Sequence, residues 1–179
     1  RDRALEASMK YFLMGAFSTG FTLYGMALLY GATRTLDLRQ MAAALAVAGE
    51  ANRGLMLAGF ALTLIGFLFK IAAFPFHFWL PDVYQGAPTP VTAFLTVAPK
   101  ALVFAVLLRV LTLAFPEFVV KWAGLLVWIS IFTMTAGNVI AISQSDVKRL
   151  LAYSSIAQAG YILVGLSVPG ALGFRAALI

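Results

Sequence analysis

Two lysines and one histidine stand inside apolar stretches of this 179-residue sequence: Lys70, His77 seven positions later, and Lys100. An ammonium near the centre of a bilayer costs about 2.5–3.5 kcal/mol even on the lenient insertion scale, so such a residue calls for a purpose. No Asp or Glu lies within four positions of Lys70. A low-dielectric setting disfavours a charged amine, and a modest change in the surrounding charge then loads or unloads its proton. Histidine titrates near neutral pH, and seven residues are about two helical turns, which puts His77 nominally on the face of Lys70. Pro75 lies between them; it lacks an amide hydrogen and its ring clashes with the carbonyl of Ile71, so the helix should break there and blur that alignment. Lys70, His77 and Lys100 are therefore the candidate proton path. Lys10 follows Glu6 by four residues, a spacing that suits either a pathway entrance or a surface ion pair. The plainer readings are a buried ion pair for each lysine and a packing role for the histidine; two lysines and a histidine around a proline break favour an ion path.

Little other chemistry is available. The chain has no Cys and one His, which excludes disulfides, thiolate nucleophiles, cysteine-held clusters and a metal site built from this chain's histidines. There is no Walker loop, dinucleotide fingerprint, catalytic triad or metal cluster, and no cofactor site is expected. Hydrophobic residues make up 62% and charged residues 11%, against roughly 25% charged in soluble domains. With a mean hydropathy of +0.93, the net charge of +6 points to anchoring at a membrane surface, not to nucleic acid.

The elements that must position these residues are spans of an all-α, polytopic transmembrane bundle, a single membrane domain over 1–179. Spans are expected at about 11–32, 54–80, 91–115, 122–145 and 150–174, the second broken at Pro75. Gly15, Ser18, Thr22 and Gly25 share one face of the first span, which suits close helix packing. Between the first two spans, about 33–53, charges return, and Leu38, Met41, Ala42 and Leu45 follow an Asp37 cap as a short interfacial helix. Pro99 is expected to kink the third span beside Lys100. Ser154, Gln158 and Tyr161 form a polar stripe on the fifth span that must face protein or water. Arg109 and Lys121 read as snorkelling or interfacial anchors. The chain opens with Arg1, lacks a signal-peptide pattern and reaches Ile179 as a further apolar run begins, so it is read as an internal fragment of a longer protein.

The run from Lys70 through Pro75, His77 and Asp82-Val-Tyr-Gln-Gly-Ala-Pro88 to Val91 resembles the antiporter-like membrane subunits of respiratory complex I. Its wording is most similar to the NADH-quinone oxidoreductase subunit N family, whose mitochondrial counterpart is NADH dehydrogenase subunit 2. Leu5 to Tyr11 and Ser143 to Ser155 agree with it. The resemblance implies a piece of a fourteen-helix fold with inverted repeats, holding the sixth to tenth helices. It maps the family's central lysine onto Lys70, its connecting histidine onto His77, its eighth-helix lysine onto Lys100 and a sixth-helix lysine onto Lys10. Gln158 departs from the family, standing where relatives often carry His, as does Pro99 where a small residue is usual. The implied function is proton translocation through lysines, His77 and internal water. NADH oxidation and quinone reduction, with NADH, flavin, iron–sulfur clusters and quinone, would reside in partner subunits. Implied partners are other membrane subunits and the lipid bilayer; the implied site is the bacterial cytoplasmic (inner) membrane, in preference to the mitochondrial inner membrane. The rival readings are a subunit of a multisubunit cation/proton antiporter or membrane-bound hydrogenase, and a structural scaffold without its own proton path.

Overall fold

Long uncharged runs with few helix breakers become helices because every backbone group in lipid must be satisfied within its own segment. The computed structural model describes residues 2–178; the side chains of residues 2, 3, 50, 51 and 178 lie outside that description, as do Arg1 and Ile179. The described residues form eight α-helices and no strand: α1 Asp2–Thr33, α2 Leu38–Ala46, α3 Glu50–Ile71, α4 Trp79–Gly86, α5 Thr89–Leu113, α6 Val119–Ile142, α7 Val147–Ser167 and α8 Ala171–Leu178. A single 3-10 turn, Pro116–Phe118, leads into α6. Five of these stretches are long and apolar enough to cross a membrane: Ala4–Thr33, Asn52–Ile71, Thr89–Leu113, Pro116–Ile142 and Val147–Ser167.

Two helix pairs form the body. In the first, α1 lies along α3, and small residues let the backbones meet. Gly25 faces Thr63 and Gly59, Gly59 faces Leu29, and Gly66 faces Thr22. The Ser18 hydroxyl donates to the Gly66 carbonyl at 3.4 Å. A Cβ on Gly15, placed on the same face by its spacing, would meet nothing within 4 Å. In the second pair α6 lies along α7, with Gly137 against Ala157 and Gly160 against Met134. Helix α4 packs on both α1 and α7 and so joins the pairs, while α5 packs against α3. The short α2 is capped as expected: the Asp37 carboxylate accepts from the amides of Arg39 and Gln40 at 3.0 and 2.9 Å, and Met41 and Leu45 are buried.

Two expected spans end early. The second stops at Ile71 rather than running to residue 80, because Ala72 takes a left-handed conformation (φ 58°) and its amide turns back to the carbonyls of Leu68 and Phe69. The break thus starts three residues before Pro75, which follows a cis peptide bond from Phe74. The fifth stops at Ser167 rather than at residue 174, since Gly170 (φ 116°) turns the chain before α8, and only glycine adopts that backbone freely. Helix α5 runs on through Pro99 as one continuous helix.

Candidate proton-transfer site

A broken helix leaves backbone amides and carbonyls that water cannot reach in a bilayer, so other groups must take them. The Phe74 amide donates to the Thr133 hydroxyl of α6 at 3.0 Å, and Thr133 is fully buried. The Trp79 indole N–H donates to the Phe69 carbonyl at 3.0 Å, across the break. The Trp79 ring stacks on Phe69 at 5.5 Å and meets Tyr11 of α1 at 5.3 Å. The break is thereby a fixed turn held from three helices.

His77 lies within it, 3% exposed, its ring 4.4 Å from Phe78 and 5.6 Å from Phe74. Its Nδ1 has no hydrogen-bond partner among the described residues. A buried nitrogen without a partner costs free energy unless something outside the chain takes it up.

Lys100 is 8% exposed on α5. Its ammonium donates to the Ser155 hydroxyl at 2.6 Å and the Ser155 carbonyl at 3.0 Å, both on α7. No carboxylate pairs with it among the described residues. It borders a cleft of about 580 Å³ between α5 and α7, lined also by Tyr84, Thr92, Thr96, Lys148, Ser154 and Gln158. The Tyr84 hydroxyl is buried there, again without a hydrogen-bond partner among the described residues. Ser154 and Gln158 border the same cleft but are exposed in this chain, and Tyr161, also exposed, accepts from the Asn138 amide of α6 at 3.3 Å.

Lys70 stands apart from this cleft. It is exposed in this chain and has no ion-pair partner among the described residues. The cleft around Lys100 includes neither Lys70 nor His77, so the described residues do not bring the three basic groups into one cavity.

Lys10 is an ion-pair member. Its ammonium lies 2.6 Å from Glu6 and 2.7 Å from Asp82, and the other Asp82 oxygen lies 2.7 Å from Arg149. Burial pulls the Asp82 carboxyl up, but hydrogen bonds from Lys10 and Arg149 outweigh this and hold it below the ordinary carboxylate range. Gln85 donates to Asp146 at 3.0 Å, and Asp146 caps α7 through the Arg149 amide. These bonds hold the Asp146 carboxyl below its ordinary value, the Arg149 amide first. The ends of α1, α4 and α7 are so clamped at one membrane face. At the opposite end Arg53 approaches Glu117 at 4.0 Å, and Lys121 lies 5.4 Å over the Phe118 ring.

The sequence reading missed Asp82, Tyr84, Thr133 and Ser155. An acid directly after Leu80-Pro81 at the end of an apolar run was the one signal that could have drawn attention to Asp82; the others depend on contacts 55 or more residues apart in the chain.

The sequence profile of the family described as NADH:quinone oxidoreductase/Mrp antiporter, TM, matches residues 1–179. A Trichlorobacter lovleyi protein named NADH-quinone oxidoreductase subunit N is 55% identical over 168 residues, covering 94% of this chain and 34% of the relative. The protein of that name from Salinibacter ruber is 54% identical over 99% of this chain and 35% of its own length. This chain therefore spans about a third of the curated relatives it matches. Among solved structures, a chain of respiratory complex I from Thermus thermophilus with bound aureothin superposes with a TM-score of 0.77 at 46% identity, over 98% of this chain and 38% of that one. A chain of the Mrp complex from Dietzia gives 0.88 at 25% identity, over 97% and 32%.

Proposed function

The chain belongs to the NADH:quinone oxidoreductase/Mrp antiporter transmembrane family, and we propose that it is part of a proton-translocating membrane subunit of a bacterial NADH:quinone oxidoreductase. In this reading the complex sits in the cytoplasmic (inner) membrane, and NADH oxidation, quinone reduction and their cofactors belong to partner subunits. The observation that carries it is Lys100: a buried amine, held by two Ser155 oxygens, beside a partly polar cleft and without a carboxylate partner among the described residues. A lysine used for proton transfer needs a setting in which a change of nearby charge alters its proton occupancy, and an amine held by neutral oxygens has that setting. Lys70, on the open face of α3, would exchange protons with Lys100 through His77 and internal water. The free Nδ1 of His77 supports a water-linked role for the ring. Lys10 acts chiefly as a clamp at the membrane face.

The test is NADH-driven proton pumping by membranes carrying Lys100→Ala or Lys70→Ala in the full-length subunit, normalised to assembled complex and compared with the Arg variants. Loss of pumping in the Ala variants with assembly intact supports the path. Wild-type pumping per assembled complex in all four sinks it and leaves a scaffold role. Failure to copurify with NADH dehydrogenase activity would move the protein to a cation/proton antiporter, which shares this helix arrangement.

A further inference from the structure

We propose that Tyr84 is a proton-relay residue, its hydroxyl passing protons through internal water between Lys100 and the end of the cleft marked by Lys148. This rests on the reading of Lys100 as a proton carrier. Tyr84 is 1% exposed, yet its hydroxyl has no hydrogen-bond partner among the described residues. A tyrosine kept only for packing would fill its place better as phenylalanine, because a buried hydroxyl left unpaired costs free energy. The Thr96 and Ser155 side chains flank the phenol without completing hydrogen-bond geometry. Ser155 is the residue that holds the Lys100 ammonium, at 2.6 Å. Thr92, one turn before Thr96, is tied to the same segment through the Tyr84 carbonyl at 3.3 Å. All of these residues line the one cleft, together with Lys148, whose ammonium is fixed on the Ala87 carbonyl at 2.9 Å at the membrane-face end of α7. A cleft of about 580 Å³ with several oxygens accommodates bridging water, which needs only two to four polar partners.

The step balances without ionising the phenol. The Lys100 ammonium gives a proton to a bridging water, and that water gives one to the Tyr84 oxygen. The phenol's own proton leaves for the next water towards Lys148. One O–H bond forms and one breaks at Tyr84, and no electrons are transferred.

Tyr84→Phe in the full-length subunit of the assembled complex keeps the ring and removes only the hydroxyl. Pumping per assembled complex is expected to fall about tenfold, the factor that one lost hydrogen bond at the upper end of ordinary net strength gives, with a larger solvent deuterium isotope effect. Assembly should be unchanged. Wild-type pumping with the wild-type isotope effect overturns the relay. Lys100→Ala is measured alongside: loss there with wild-type behaviour in Tyr84→Phe sinks the relay alone, and intact pumping in Lys100→Ala sinks the reading of Lys100 with it. If Tyr84→Phe assembles poorly, 3-fluorotyrosine at position 84, which keeps the ring and the hydroxyl and makes the phenol more acidic, takes its place: a changed pumping rate with a changed isotope effect supports the relay, and wild-type values of both overturn it.

Discussion

Adding one methyl group to Gly25 tests the contact between α1 and α3. A Cβ there would stand 2.5 Å from Thr63 Oγ1, 2.6 Å from the Thr63 amide nitrogen and 2.7 Å from the Gly59 carbonyl oxygen. The last two are backbone atoms of α3, so no rotamer change relieves them and the helices must part. Restoring a separation of 3.4 Å from the Thr63 nitrogen requires an opening of about 0.8 Å, enough to forfeit a quarter to a half of each dispersion contact along the seam. Leu29 on Gly59, Thr22 on Gly66 and the bond from Ser18 to Gly66 would all loosen. Overpacking of this kind costs about 1–3 kcal/mol. Gly20→Ala is the control, because a Cβ on Gly20 meets nothing within 4 Å. Alanine is the better helix former by about 0.8–1 kcal/mol, so the control should be neutral or slightly stabilising. The same gain offsets part of the cost at Gly25, so Gly25→Ala should be less stable than Gly20→Ala by the overpacking cost of about 1–3 kcal/mol. Thermal melts of the full-length protein in lipid nanodiscs should show Gly25→Ala below wild type and Gly20→Ala at or above it. Equal melting of the two variants would refute the close approach of α1 and α3 at this level.

Replacing Thr133 by Val orphans the Phe74 amide and should destabilise by about 1–3 kcal/mol, whereas Thr133→Ser should retain most of the bond, as the same melts would show. Asp82 has its carboxyl held below the ordinary range, so its contribution is fully present above that range and is lost as pH falls through the folded value. Melts of wild type should therefore drop below about pH 4, and Asp82→Asn should be less stable at pH 7 with a flatter acid limb. A double-mutant cycle pairing Asp82→Asn with Arg149→Gln should give a coupling of about 0.2–1 kcal/mol, since the pair is partly solvated.

What could be read from the sequence follows the range of the physics involved. Apolar runs, the Asp37 cap and the proline in the second span act within a few residues of one another, and the structure has all three. The break itself starts at Ala72, since a left-handed turn closed by the Leu68 and Phe69 carbonyls stops α3 before the proline ring can act. Lys100 was legible as a mid-span charge, but its partner Ser155 lies 55 residues on. Asp82 read as part of a connector because Lys10 and Arg149 are 72 and 67 residues away. Lys70 and His77 share a face only nominally by their spacing, because a break between them was expected, and the turn at 72–78 lies between the two residues.

The hydrogen bond from Phe74 to Thr133 also has a kinetic consequence. It joins residues 59 apart and is the bond through which α6 satisfies an amide of the broken segment. An amide exchanges with solvent deuterium only when its bond opens, and this one opens only if α6 withdraws or the turn at 72–78 comes apart. Labelling at the Phe74 amide therefore records, at a single backbone position, how often α6 parts from the broken segment or the turn at 72–78 opens.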